Sequence, residues 1–407
     1  MTRPAGKSFF NVTLPLAFVN FINQSSRAIM ALIGPLLALE YGLSAADLGL
    51  LAAILFVAYG LMQLPVGVAL DLYGPRRVQT AAAALASLGF LLSALSTGPL
   101  MLGMGRVITG LGIASGLIGL IKAHSMWFPR ERVAALTGAG VFIGGMGGLM
   151  VTLPMQGLLP FIGWRGAFWL LAAIAGLVSV WIYLVVPDSE SRGSRKPLWA
   201  EIREFGPIYR APVFIRVVPA IVVLNAMHFT YQGLWVGPWL RDVAGMGDAA
   251  RATTLLFYAL GGMFGNLVGG QLGSALQARG RSAMLVPIMA MCGMLTLQVL
   301  LVVLAPSEVW LVTLLWIGFA CCGSTSAVAY SAVAQAYPVQ LAGRVSTAVN
   351  ATMLALVFLF QSAIGALLDL WPRLPSGGWD PAGYAWAMVA TIIIQAASMA
   401  WMWRRRG

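Results

Sequence analysis

The sequence predicts an all-α membrane protein of twelve transmembrane helices, arranged as two six-helix bundles in a pseudo-twofold relation. Three observations predict it. The 407 residues are 59% hydrophobic and only 9% charged, against about 25% charged in a soluble domain. Mean hydropathy is +0.85. Apolar runs of about twenty residues, the length that crosses a bilayer as a helix, recur along the chain. Together these exclude a soluble enzyme and a DNA-binding protein, so the formal net charge of +12 has to be explained by where the charges sit.

Lipid offers the backbone no hydrogen-bond partners, so each apolar run has to become a helix. Arg3 and Lys7 precede the first run, which lacks a small-residue cleavage site and outlasts a signal-peptide core; it reads as a retained span. The first six spans cover 10–39, 46–70, 78–97, 101–126, 133–159 and 164–187. The second six cover 213–240, 252–276, 283–305, 309–337, 345–370 and 382–403. This gives an N-terminal bundle over 1–187, a charged linker over 188–212 containing PDSESRGSRK, and a C-terminal bundle over 213–407. The halves echo one another: span 4 ends in WFPRER and span 10 in AYPVQLAGR, each an aromatic followed by Pro and a basic residue.

Of 25 Lys and Arg, eighteen fall on the termini and even-to-odd connections, and four (Arg165, Arg241, Arg251 and Arg373) on the opposite face. By the positive-inside rule, both termini and the linker are expected on the cytoplasmic side of the cell membrane. Arg27, Arg106 and Lys122 remain inside spans. Cys292, Cys321 and Cys322 lie in apolar stretches without disulfide or metal-ligand spacing, and no nucleotide loop or nucleophile with its base is present, so no cofactor, metal or enzymatic activity is expected. The basic balance carries no implication of nucleic acid; the bilayer is the expected partner.

The connection between spans 2 and 3 carries a motif: Gly67-Val-Ala-Leu-Asp71-Leu-Tyr-Gly74-Pro-Arg76-Arg77. It resembles the signature loop of the major facilitator superfamily, G-x-x-x-D-(R/K)-x-G-(R/K)-(R/K), departing at Leu72 and at the inserted Pro75. Arg106 with Gly110 resembles the R-x-x-x-G element of the fourth helix in that family, which implies a structural or gating role. The glycines of span 5, from Gly138 to Gly148, resemble the fifth helix of its nitrate, cyanate and exporter branches, although Gly145 stands where drug antiporters carry Pro. The resemblance implies the family's fold, a small-molecule substrate, a monomer, and two halves that alternate access around a midplane site. Small Gly67 is expected to allow close helix approach, and Asp71 to cap a helix or pair with basic residues at a cytoplasmic gate.

Arg27 lies deep in span 1, where a charge is costly unless it meets water or a counter-charge. Asn20, Asn23, Gln24 and Arg27 fall at helical offsets of one stripe, expected to face a central cavity. The segment from Arg27 to Gly34-Pro35 resembles anion-handling branches of the family, in which a basic residue of helix 1 binds the substrate's negative group. Guanidinium suits that task, presenting a rigid donor fork to a carboxylate. The alternative is a structural arginine paired with a carboxylate. Lys122 either supplies a second basic contact or snorkels to the interface. In span 7, the counterpart of span 1, His228 and Gln232 share a face with Tyr231 adjacent. His228 either binds substrate, carries a proton, or is a hydrogen-bonded structural residue. Asn350 and Gln361 share a face of span 11 and offer neutral hydrogen bonds.

The expected function is secondary active transport of a small anionic, carboxylate-like solute by alternating access, coupled to a proton or to an exchanged anion. A drug or metabolite efflux antiporter of the same superfamily is the alternative, and a non-transporting receptor-like relative the third reading.

Overall fold

The computed structural model describes residues 8–188, 203, 205–338, 341–375 and 377–404. The expectations for Arg3, Lys7, Arg405 and Arg406 lie outside the described residues, as do those for most of the linker, Arg192, Arg195 and Lys196 included. Ten helices are long and apolar enough to cross a membrane, and a shorter apolar helix covers Ala135–Met150. One of the ten, Ala45–Ala94, runs for 50 residues and holds two spans that meet at Gly74, whose φ of 78° and ψ of 165° are not helical. Counted so, the described residues carry the twelve expected spans. Among the described residues the only β pairing is an isolated bridge between Arg373 and Trp379.

Boundaries follow the apolar runs within a few residues. Span 1 is Leu14–Tyr41 after a π-helical turn over Phe9–Thr13. Span 5 is Arg130–Met150 continued, after a turn, by the first part of Leu153–Val185, and span 6 is the rest of that helix beyond Gly163, whose φ of 64° and ψ of 178° are not helical. Span 7 joins Pro212–Thr230 to Val236–Asp242 through a π-helical turn, Tyr231–Trp235. Spans 8, 9, 11 and 12 are Asp248–Ala278, Leu285–Leu304, Ala342–Leu368 and Pro381–Arg404.

Spans 4 and 10 are each interrupted at the same depth. Span 4 is Pro99–Ile113 followed by Gly116–Trp127, and span 10 is Val309–Gly323 followed by Ser326–Ala334; the first piece has 15 residues in both. This is a second echo between the halves, beyond the end motifs. Broken helices leave carbonyls to satisfy, and non-helical backbone persists at membrane depth only when buried in protein or lining a cavity. In span 4 the residues at the break are met by glutamines. Gln63 Nε2 donates to Ala114 at 3.5 Å, and Gln79 Nε2 to Ser115 and Gly116 at 3.0 and 3.3 Å, while Ser115 Oγ returns a bond to Gln79 Oε1 at 2.7 Å.

By internal contacts the chain divides into two units, Met1–Ile29 with Ile54–Glu201, and Met30–Ala53 with Ile202–Gly407. This division differs from sequence order over Met30–Ala53, the facing ends of spans 1 and 2. In the second unit those ends meet spans 7 and 11 at glycines. A methyl group on Gly49 would stand 2.6 Å from the Gln361 carbonyl oxygen; Gly237 sits against the Ala31 backbone and Gly365 against that of Ala45. The start of span 2 is capped twice. Ser44 and Asp47 form a reciprocal box, with Ser44 N to Asp47 Oδ2 at 3.1 Å and Asp47 N to Ser44 Oγ at 3.0 Å. Asp369, at the end of span 11, then accepts from Ala45 N and Ala46 N at 2.8 Å each, one amide per carboxylate oxygen. A carboxylate at a helix N-terminus gains from the macrodipole as well as from the bonds.

In the first unit, spans 3 and 4 pack backbone to backbone. Methyl groups on Gly105 and Gly112 would come within 2.8 Å of the Gly89 carbonyl oxygen and the Ala86 Cα. Such small-residue contacts replace the hydrophobic driving force that lipid removes. Among the described residues, nothing lies within 4 Å of a methyl group placed on Gly67. Gly74 is the residue of the motif with a backbone requirement. Its φ/ψ belongs to a region open essentially to glycine, where other residues cost about 1–3 kcal/mol. Gly74→Ala is therefore expected to destabilise the detergent-purified protein by that amount, read as a lower thermal transition, while Gly67→Ala, in open space, leaves the transition in place.

Candidate functional site

The middle of span 1, Asn20-Phe-Ile-Asn-Gln-Ser-Ser-Arg27, is polar where lipid would demand apolar residues, and its side chains are spent on the neighbouring backbone. Ser25 Oγ donates to the Gly147 carbonyl at 2.9 Å and to Phe21 at 3.0 Å. Asn23 Nδ2 donates to the Ile113 carbonyl at 3.1 Å. Arg106 Nη1, from span 4, donates to the Ser26 carbonyl at 2.8 Å. Gly147 makes the first contact feasible, since a side chain there would collide with Phe21. Span 1 is thus held from spans 4 and 5 at Asn23, Ser25 and Ser26, within the turn that precedes Arg27.

Arg27 itself is 8% exposed. Its Cζ lies 5.4 Å from the ring centroid of Phe56 and 5.8 Å from that of Tyr59, both on span 2. Nη1 reaches Gln24 Oε1 at 3.5 Å, and Gln24 is half-buried. Two aromatic faces attract the cation electrostatically, and Phe56 and Tyr59 surround the fork with apolar surface that strengthens any charge it meets. The stripe read from sequence therefore divides. Asn23 serves packing and Asn20 lies against Gly144, whereas Gln24 and Arg27 lie together.

Lys122 is elsewhere. Its Nζ pairs with Asp71 Oδ1 at 2.7 Å, with the two side chains 38% and 56% exposed. Arg76 donates through Nε and Nη2 to the Tyr183 carbonyl at 3.0 and 2.6 Å, and Arg77 pairs with Asp188 at 3.1 Å. The motif residues Asp71, Arg76 and Arg77 thus tie the ends of spans 2 and 3 to spans 4 and 6. His124, which reads from sequence as an interfacial packing residue, is wholly buried between Thr13 at 3.0 Å and Thr137 at 2.9 Å.

In the second unit, His228 is 4% exposed. Nδ1 lies 3.1 Å from Tyr258 Oη and Nε2 3.1 Å from Ser324 Oγ. Tyr231 is buried against Trp316 and Phe319, each with ring centroids 5.3 Å away. Gln361 is buried, its Nε2 donating to Thr230 at 3.5 Å and its backbone oxygen accepting from Trp235 Nε1 at 3.3 Å. Gln232 and Asn350 are half-buried. Sequence reasoning missed Tyr258. Its signal is the face it shares with Gly262, Gly265, Gly269 and Gly273, a small-residue row that marks the packed side of span 8. It also missed the chain from Gln395 Nε2 to Gln298 Oε1 at 2.6 Å and from Gln298 Nε2 to Thr391 Oγ1 at 3.3 Å.

A family model described as Major Facilitator Superfamily matches residues 16–362. Among curated relatives, an uncharacterized transporter of Bacillus subtilis, YybO, is 30% identical over 202 residues, 48% of this chain and 45% of that protein. A probable sulfoacetate transporter of Cupriavidus necator is 22% identical over 283 residues, 65% of this chain and 64% of that protein. The matched region thus spans between about half and two thirds of the length of these relatives. Among solved structures, a bacterial homolog of the human lysosomal transporter Spinster, in an inward-facing and unoccupied conformation, superposes with a TM-score of 0.76 at 17% identity, covering 98% of this chain and 97% of that one.

Arg106 is expected to be a folding residue. Replacing it by Met leaves the Ser26 carbonyl without its buried donor, at about 1–3 kcal/mol, read as a lower thermal transition in detergent. Lys122→Met removes a half-exposed pair, worth about 0–1 kcal/mol, and should leave the transition nearly in place.

Proposed function

The chain belongs to the major facilitator superfamily, and is a multi-pass membrane transporter of a small molecule rather than an enzyme; on that premise we propose that its substrate is a small carboxylate-like anion, moved by alternating access with Arg27 as the anion anchor. The observation that carries the reading is Arg27 itself: a guanidinium at the middle of span 1, with Gln24 at 3.5 Å and the faces of Phe56 and Tyr59 beside it. A charge at the centre of a span costs at least about 2.5–3.5 kcal/mol, and an anion bound by the guanidinium fork recovers part of that. The three bonds that fix Ser25, Asn23 and Ser26 hold the helix that presents the fork, which is the preorganisation that makes one charge contact effective. The likeness to a probable sulfoacetate transporter supports the same substrate class.

In this reading the two six-span halves are 1–187 and 213–407, joined by a cytoplasmic linker, with both termini cytoplasmic in the cell membrane and the protein acting as a monomer. The matching interruptions of spans 4 and 10 support the repeat, and the sorting of basic residues supports the orientation. Asp71 with Lys122, and Arg76 and Arg77 with their partners, form the cytoplasmic gate, and Lys122 acts there rather than on the substrate. Gln24, Gln232 and Asn350 remain half-exposed neutral contacts for the solute.

The test is uptake into proteoliposomes of sulfoacetate, an aliphatic dicarboxylate and an aromatic carboxylate, with a lipophilic cation as the opposing probe. Arg27→Ala should reduce anion uptake by about 30-fold or more, the equivalent of the 2 kcal/mol or more lost when one partner of a buried charge pair is truncated. Arg27→Lys keeps the charge without the fork and should fall between. Wild-type anion uptake by a folded Arg27→Ala protein, or transport of the cation alone, would remove the reading.

A further inference from the structure

On the face expected to lie opposite the termini the sequence leaves four basic residues, and three of them, Arg241, Arg251 and Arg373, belong to the second unit. Two of the three are neutralised. Arg241 holds Asp242 through Nε and Nη2, at 2.5 and 3.0 Å, and Arg251 Nη2 pairs with Asp248 at 2.8 Å. Arg373 makes no ion pair among the described residues. The acids that neighbour it in sequence are committed to backbone amides: Asp369 to those of Ala45 and Ala46, and Asp380 to that of Ala382 at 2.8 Å.

Arg373 stands on a tight hairpin between spans 11 and 12. Gly377 makes its turn with φ 78°; Gly377 N donates to the Leu374 carbonyl at 2.9 Å, and Leu374 N to that of Gly378 at 3.0 Å. Arg373 and Trp379 face each other across the hairpin. Trp379 N donates to Asp242 Oδ2 at 3.1 Å, and a side chain on Gly378 would collide with Asp242 Oδ1, so the loop lies directly on the Arg241–Asp242 pair at the end of span 7. The indole of Trp379 is thereby only 1% exposed, with the Trp235 ring at 6.3 Å. The Cζ atoms of Arg241 and Arg373 lie over it, 5.6 and 5.7 Å from its centroid.

This arrangement buries a donor without an acceptor. An indole nitrogen only donates, and Nε1 of Trp379 has no partner among the described residues. A buried polar atom in that condition calls for a water or an ion. Guanidinium groups likewise only donate, so neither arginine beside the ring can take the indole hydrogen. The partner therefore comes from outside the chain, and it is an acceptor. A water gains nothing from the charge of Arg373, whereas a negative acceptor gains a charge-assisted bond. From this geometry we infer that Trp379 Nε1 and Arg373 form a binding site for a small monovalent anion, a halide or the carboxylate of a solute, where the hairpin meets span 7. Asp242 leaves Arg241 with no net charge to offer, so Arg373 supplies the attraction and Trp379 the directed hydrogen bond. The site goes beyond the transport reading above and does not involve Arg27.

The probe is bromide, which quenches indole fluorescence. The chain has 14 tryptophans, and collisional quenching of the exposed ones grows in proportion to bromide; Trp379, at 1% exposed, is reached only by an anion that binds. Detergent-purified protein is titrated with sodium bromide, ionic strength being held with sodium sulfate. The expected result is a saturable component above the linear one, absent from Trp379→Phe, which keeps a ring beneath both guanidinium groups and removes the N–H. Arg373→Gln should raise the bromide concentration at half saturation by about ten-fold or more, the equivalent of a hydrogen bond to a charged group. Arg27→Ala should leave it in place. Displacement of the bromide by chloride but not acetate supports a site for inorganic anions, and displacement by acetate supports one that takes a solute's carboxylate. Quenching that is linear throughout, or a saturable component that persists in Trp379→Phe, overturns the inference. A second measurement needs no variant to fold: bromide should raise the wild-type thermal transition more than sulfate of equal ionic strength, by mass action, and equal transitions overturn the inference. Neither measurement follows transport, so failure of the anchor role of Arg27 would show in uptake and leave these results readable.

Discussion

Every polar group that this chain carries into the bilayer has to find its partner inside the protein, and the arrangement of the helices follows from how those partners are found. In the first unit a side-chain donor repeatedly reaches a backbone carbonyl of another span: Ser25 to Gly147, Asn23 to Ile113, Arg106 to Ser26, Ser87 to Ala172, and Ser179 to Thr80. A helical carbonyl has a second lone pair to offer, so such bonds add to the helix without breaking its ladder. They require the helices to come close, and glycine supplies the approach. The glycine richness of spans 3 to 5 and the serine and asparagine content of span 1 are two sides of one packing solution.

The same constraint explains what the sequence made legible. Span positions are set by the length of apolar runs, which the bilayer enforces directly, and the structure keeps them within a few residues. The motif between spans 2 and 3 was legible as a unit because Asp71, Arg76 and Arg77 are charges at a helix end, where charge is cheap. Less legible were choices among partners. Asn20, Asn23, Gln24 and Arg27 have the same periodicity, and periodicity does not distinguish an asparagine turned to Ile113 from a glutamine turned to Arg27. Lys122 reads equally as a substrate contact or an interfacial residue, because Asp71 lies 51 positions away. The interruptions of spans 4 and 10 were hidden for a different reason: Ser115 and Ser324 are unremarkable in an apolar run, and their partners, Gln79 for one and His228 for the other, are distant in sequence.

Arg27 and Arg106 show how one residue type takes two roles a few ångströms of helix apart. Arg106 is 1% exposed and gives a hydrogen to a backbone oxygen, so its charge is spent on the fold. Arg27 meets the faces of Phe56 and Tyr59, which attract a cation electrostatically. The two are linked in sequence of support: Arg106 holds the carbonyl of the residue before Arg27.

The double cap at the start of span 2 has a mechanical meaning. A single carboxylate, Asp369, holds the amides of both Ala45 and Ala46, so any motion that parts span 11 from the tip of span 2 breaks both bonds in one event. Bonds of this kind are short-ranged and charge-assisted, and the glycine contacts beneath them, Gly365 on Ala45 and Gly49 on Gln361, close or open with them. A joint built this way has two settings and no graded middle. It behaves as a fastener that determines how long the ends stay together, not as a spring that determines how far they stray.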